Sequence, residues 1–163
     1  MNIFKELNII RRNHAIEHAT LQVLARKHPT IRLVGRSDPQ GFVIYGRVDT
    51  IELADAVTEA ISLLRDGNSQ LAVHPNCGTN LSVAGILAGV FALMASRGKK
   101  KLWDALPAAV VAATVGILLG RPLGPIVQEK ITTSANVGDV KVKEVKRQDV
   151  SGVVRHRVVL TRD

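Results

Sequence analysis

Two stretches of this chain contain no ionisable side chain, Leu81–Ser96 (LSVAGILAGVFALMAS) and Ala105–Leu119 (ALPAAVVAATVGILL), and both are apolar all round. A helix without a polar face needs a protein interior or a lipid phase around it. At 1.5 Å per residue the runs cover about 24 Å and 22 Å, short of the roughly 30 Å hydrocarbon core, so a crossing must draw on flanking residues or local thinning. Small residues recur at helical spacing: Gly85-x-x-x-Gly89 with Ala84, Ala88 and Ala92 in the first run, and Ala108, Ala112, Gly116 and Gly120 in the second. Such stripes let helix backbones approach closely where lipid supplies no hydrophobic drive. The alternative is a buried hairpin in a soluble helical bundle, but Trp103 at the edge of the second run suits a membrane interface. Residues 80–124 are therefore expected to form a transmembrane helical hairpin. Arg97-Gly98-Lys99-Lys100-Lys101 would be its solvated loop at anionic headgroups, and the Gly-x-x-x-Gly face permits homo-oligomers.

The flanks have a different pattern. Residues 1–79 read as a soluble α-β-β-α part. Apolar positions from about Leu7 to Lys27 recur every three to four residues until Pro29, which predicts a helix. Ile31–Val34 and Phe42–Tyr45 predict a β-hairpin around Asp38-Pro39 and Gly41. Asp49-Thr50-Ile51-Glu52 has the form of a capping box before a second amphipathic helix that ends at Gly67. Residues 125–163 return to strand character, with Val137–Val145 and Val153–Leu160 around a turn at Gln148-Asp149-Val150-Ser151-Gly152. An isolated two-stranded hairpin is marginal in water, so these strands are expected to join the N-terminal hairpin in one antiparallel sheet. The fold class is α+β.

Charge narrows the partners. With 22 Lys+Arg against 14 Asp+Glu, the formal net charge of +8 suits either a nucleic acid or an anionic membrane surface. One Trp, one Tyr and three Phe provide no stacking platform for single strands, and no basic helix reads as a groove-entering element. A lipid bilayer is the expected partner, and nucleic acid is not. Met1 to Ile10 is short, mixed and carries Glu6, so no cleavable signal peptide is expected. The positive-inside rule would put the basic loop in the cytoplasm. Exporting some eighty preceding residues without a signal would be hard, and the C-terminal tail has eight Lys/Arg of its own. The soluble parts are accordingly placed in the cytoplasm at a bacterial cell membrane.

Two polar clusters carry the chemistry. The first is His14-Ala15-Ile16-Glu17-His18. On a helix His14 and His18 lie one turn apart on the same face, so their imidazoles can converge on one ion, with Glu17 beside them to hold and deprotonate a metal-bound water. This is the H-x-x-E-H order of the inverzincins, the reverse of the thermolysin-type motif. The bland alternative is an exposed helix face on which Glu17 pairs with Arg12 or Arg26. The second cluster is His74-Pro75-Asn76-Cys77-Gly78-Thr79-Asn80. A catalytic zinc takes three protein ligands and keeps one position for water, and His74 and Cys77 are the available suppliers. Thr79 or Asn80 could cap the helix expected from Leu81, whose positive end would favour a Cys77 thiolate. Otherwise Cys77 is a buried thiol in a capped loop. His28 is expected to be a solvated cap, and His156, between Arg155 and Arg157, to lie on the surface.

The pairing of H-x-x-E-H with H-P-x-C-G-T ahead of a hydrophobic segment resembles a family of bacterial membrane proteins described as metal-dependent enzymes, whose motifs read H-G-A-E-H and H-P-R-C-G-T-S. The likeness spans roughly residues 10–125 and not the C-terminal strands, which points to a small related domain-of-unknown-function family. It implies a metal and a membrane location but carries no substrate. Three readings follow. In the first, a membrane-anchored zinc hydrolase or peptidase, His14, His18 and one or both of His74 and Cys77 hold Zn2+ or another divalent transition metal, and Glu17 is the general base. In the second, all four ligands close a structural site. In the third, Cys77 is a nucleophile with His74 or His14 as its base.

Overall fold

The computed structural model describes residues 3–99, 101–150 and 152–162. Met1, Lys100 of the basic loop and Ser151 of the expected turn lie outside the described residues. In chain order the elements are α1 (Ile3–Lys27), β1 (Val34–Asp38), β2 (Gly41–Tyr45), α2 (Thr50–Arg65), a 3-10 turn (Ser69–Ala72), α3 (Gly78–Ser96), α4 (Leu102–Val127), a π turn (Gln128–Thr132), β3 (Val140–Val150) and β4 (Val153–Arg162). They form two compact units, Met1–His74 with Ile131–Asp163, and Pro75–Lys130.

The first unit is an α+β fold. Its sheet is antiparallel throughout in the order β1-β2-β4-β3, so the N-terminal hairpin pairs with the C-terminal one through β2 and β4, as expected. Strand alternation sends Phe42 and Ile44 of β2 and His156, Val158 and Leu160 of β4 to one face, where they meet buried residues of α1 and α2. Ile16, Ala19, Val23 and Leu24 of α1 and Leu53, Val57, Ala60 and Leu64 of α2 supply the helical side of this core. Asp49 caps α2, its carboxylate accepting from the Ile51 and Glu52 amides. Those bonds hold the carboxyl below its ordinary range.

Strand β1 departs from expectation. The apolar run Ile31–Val34 contributes only Val34, and the strand forms from the segment read as a connector, Val-Gly-Arg-Ser-Asp. The turn is consequently two residues, Pro39-Gln40, closed by the Gln40 amide donating to Asp38 Oδ1. Tertiary contacts override the weak strand pattern: Asp38 forms a bidentate ion pair with Arg157 of β4, and its main-chain oxygen accepts from the Asn13 amide of α1. Arg157 holds the Asp38 carboxyl below its usual range. The C-terminal strands also shift: β3 starts at Val140 and runs through the expected turn to Val150, whose partner is Val153.

The second unit is an antiparallel pair, α3 and α4, each long and apolar enough to cross a bilayer. Both outrun their uncharged cores. The 19 residues of α3 and 26 of α4 give about 28 Å and 39 Å, which narrows the expected shortfall for α3 and removes it for α4. Glycines of α4 step along α3: a Cβ on Gly116 would fall 2.7 Å from the Ala88 nitrogen, one on Gly120 2.6 Å from Ala84 Cα, and one on Gly124 2.4 Å from Asn80 Oδ1. Gly85 and Gly89 of α3 have nothing within 4 Å, so the Gly-x-x-x-Gly face is not the one that packs inside this pair. Leu81, Leu93, Val111 and Leu118 are among the large apolar residues left exposed.

Candidate metal centre

Helix α1 runs without a break through the first motif because nothing between Ile3 and Lys27 is Pro or Gly. One turn separates His14 and His18, whose ring centroids are 4.2 Å apart, and a ring nitrogen of each lies within 4.8 Å of the other's. Both imidazoles are anchored from behind. Nδ1 of His14 is 3.0 Å from the Thr132 carbonyl oxygen and Nδ1 of His18 is 2.7 Å from that of Ala72. A carbonyl oxygen only accepts, so each ring donates its Nδ1 proton and, as neutral imidazole, carries its lone pair on Nε2. Metal-bound histidines are oriented by this same kind of outer contact.

The supports come from two short segments of the first unit. Ala72 closes the 3-10 turn, and the carbonyls on either side of it, Leu71 and Val73, accept from the Gln22 amide at 2.9 Å and 3.1 Å. Gln22 sits one turn beyond His18 on α1, so the helix clamps the whole 71–73 segment. His74 follows directly, with its ring centroid 5.6 Å from that of His18. On the other side, Arg11 Nη2 donates to the Thr133 carbonyl next to Thr132. Gln22, Ala72 and Thr132 were not singled out in the sequence. Gln22 has the spacing i, i+4, i+8 with His14 and His18, which is the one signal that could have found it; the two carbonyls leave no mark in a sequence.

Glu17 is buried, with 4 % of its surface exposed. Its Oε2 accepts from the Ser37 hydroxyl of β1 at 2.5 Å. Its other oxygen lies over Gly35, where a Cβ would come within 2.1 Å. Only a glycine leaves room there for the carboxylate.

Cys77 belongs to the second unit. It is the N-cap of α3, its Sγ accepting from the Thr79 amide at 3.4 Å, so the helix starts at Gly78 and the expected caps Thr79 and Asn80 lie inside it. Asn80 instead donates to the Pro75 carbonyl and accepts from the Gln128 amide, joining the two ends of the helical pair. The structure thus gathers His14, His18 and His74 in one unit and puts Cys77 three residues further along the chain, in the other. His28 is outside the centre and pairs with Glu52. His156 is no surface residue: strand register places it between Ile44 and Arg147 on the core face, wholly buried, with neither ring nitrogen hydrogen-bonded. Burial, followed by the Arg147 charge, pushes its pKa down.

Comparison with known proteins gives a family without an activity. The profile of DUF6391, a domain of unknown function, matches residues 9–145, a stretch that includes His14, Glu17, His18, His74 and Cys77. An uncharacterised protein of the cyanobacterium Picosynechococcus sp. is 36% identical over 171 residues, covering 96% of this chain and 81% of the relative. No solved structure matches. Neither match supports the resemblance to metal-dependent membrane enzymes.

Proposed function

The chain belongs to the DUF6391 family, and on that premise we propose a function read from its own site: a membrane-anchored, zinc-dependent hydrolase with His14, His18 and one or both of His74 and Cys77 as ligands and Glu17 as general base. The observation that carries the reading is the pair of Nδ1–H donations to Thr132 and Ala72, which fix two imidazoles one helical turn apart with their lone pairs on Nε2. Zinc bound there would lower the pKa of a coordinated water to about 7. Glu17 has the position that a base needs in this motif, next to His18 in sequence and held by Ser37. A closed, structural site is the second reading, favoured by the placement of Cys77 at a helix N-terminus, where a thiolate is stabilised, three residues after His74.

The two units also suggest the setting. The exposed apolar surface of α3 and α4 is more than a soluble monomer normally presents, which supports a bilayer around them. The N- and C-terminal segments form one sheet and so must share one side of that bilayer, which we assign to the cytoplasm of a bacterial cell.

Metal content tests the function directly. Protein purified without chelator should hold about one zinc per chain. His14→Ala and His18→Ala should lose it, while Glu17→Gln should keep it and lose hydrolysis of a fluorogenic peptide or ester panel. Absence of stoichiometric zinc after reconstitution overturns both readings. Cobalt substitution separates them: a thiolate-to-cobalt charge-transfer band that vanishes in Cys77→Ser means a sulfur-closed site, and its absence leaves a coordination position for water.

A further inference from the structure

Three arginines from three elements meet the loop that leads into β3. Arg65, in the last turn of α2, donates through Nε and Nη2 to the Gly138 carbonyl at 3.1 Å and 3.0 Å, and through Nη2 to the Val140 carbonyl at 2.7 Å. Arg12 of α1 reaches the same glycine, where a Cβ would stand 3.5 Å from its Nη1. Arg162, at the end of β4, is the strand partner of Val140, and its Nη2 donates to the side-chain oxygen of Asn13, next to Arg12. All of these residues belong to the first unit. Arg12 lies about 160° around α1 from His14, so the cluster is separate from the candidate metal centre.

The charge here is not balanced. Among the described residues neither Arg12 nor Arg162 forms an ion pair, and Arg65 directs its donors to neutral carbonyls. The Asp38 carboxylate, whose main chain accepts from the same Asn13, is taken by Arg157. Asp139, on the loop itself, is exposed and forms no ion pair among the described residues. Burial, followed by the Arg12 charge, lowers the pKa of Arg162, with no acid acting against them. The Nε of Arg162 is buried without a hydrogen-bond partner. A buried donor that lacks an acceptor costs its full desolvation, and a partly buried charge without a counter-charge costs more. An ion from outside the chain is the ordinary explanation of such a group.

We propose that Arg12 and Arg162 form a binding site for a phosphate group, which supplies the acceptors and the negative charge that the two guanidinium groups lack, while Arg65 holds the loop beside them. Charge selects phosphate over carboxylate: a phosphate monoester carries about −1.5 to −2 at pH 7, which matches two uncompensated guanidinium groups, and its oxygens suit their forked donors. Inorganic phosphate, a soluble phosphate monoester and a phosphomonoester lipid headgroup share this chemistry.

Phosphate titration of the full chain tests the site, in detergent micelles at fixed ionic strength, after dialysis against EDTA and then metal-free buffer so that no metal at the histidines takes the anion. Calorimetry should show saturable binding of inorganic phosphate, and the thermal midpoint should rise with phosphate and not with chloride. Arg12→Gln and Arg162→Gln should each weaken binding at least about tenfold, the loss expected for one charge-assisted hydrogen bond. Arg12→Gln also relieves the repulsion on Arg162, so without phosphate its midpoint should equal or exceed that of the unsubstituted chain, which shows that the variant folds. A lower midpoint means that Arg12 stabilises the fold with no ligand, and it overturns the proposal. Lys5→Gln removes an exposed charge of α1 outside the cluster and should bind as the unsubstituted chain does. Equal weakening by Lys5→Gln, or no saturable binding at all, also overturns the site. Proteoliposomes of phosphatidic acid and of charge-matched phosphatidylglycerol identify the source: inorganic phosphate binding lost only in phosphatidic acid assigns the site to a headgroup, and binding equal in both assigns it to a soluble phosphate.

Discussion

At the scale of single residues, the centre depends on contacts that are easy to remove one at a time. Gly35→Ala would drive a methyl into the Glu17 carboxylate and should cost about 1 to 3 kcal/mol, read from denaturant unfolding in mild detergent. Ser37→Ala leaves the buried carboxylate one donor short and should cost a similar 1 to 3 kcal/mol or so. His156 makes a different prediction. Its pKa is lowered in the folded protein, first by burial and then by Arg147, against the opposing pull of Asp149 and Asp49. The unfolded chain therefore binds a proton that the folded one resists, so stability is intact above the unfolded value near 6.5 and falls as pH drops below it. His156→Leu should flatten this acid dependence without loss at neutral pH, since an apolar side chain of similar volume removes two unpartnered nitrogens. Spacing alone made His14, Glu17 and His18 legible as one helical cluster. His156 was misread because flanking arginines suggested a surface, while strand alternation through Val154, Val158 and Leu160 puts it on the inner face.

Among elements, α3 and α4 illustrate how much a small-residue stripe conveys. Both stripes could be read from the sequence, but not which one the pair itself uses, because that depends on the rotation of each helix. The structure assigns the contact to Gly116, Gly120 and Gly124. Gly120→Leu should therefore separate the helices, seen as lost cross-linking between cysteines placed on α3 and α4 and a lower unfolding temperature in micelles. Gly85→Leu meets open space and should leave both unchanged. Strand β1 shows the opposite limit. Val-Gly-Arg-Ser-Asp has almost no strand propensity and pairs because Glu17, Asn13 and Arg157 hold its side chains and backbone. No local pattern could have disclosed those partners, which come from α1 and from the far end of the chain.

For the whole molecule, the organisation that mattered most was foreseeable: two segments, separated by an apolar insert, completing one sheet. The pairing of β2 with β4 obliges both segments to lie on the same side of any membrane that the insert crosses. Reporters fused to the two termini should accordingly register the same compartment, and opposite readings would contradict an even number of crossings. Zinc should stabilise the first unit, adding about 2.7 kcal/mol at a hundredfold excess over Kd, and EDTA should reverse the gain in thermal midpoint. The sheet order also sets a timetable. β2 ends at Tyr45 and its partner β4 begins at Val153, so at 5 to 20 residues per second a ribosome needs about 5 to 20 s to supply the missing strand. Throughout that interval β2 offers an open edge to any neighbouring nascent chain, and the hydrophobic insert emerges before the edge is covered. On the proposed membrane reading, prompt capture of the insert by the insertion machinery would protect the domain as well as the helices, and delayed insertion should appear first as aggregation through β2.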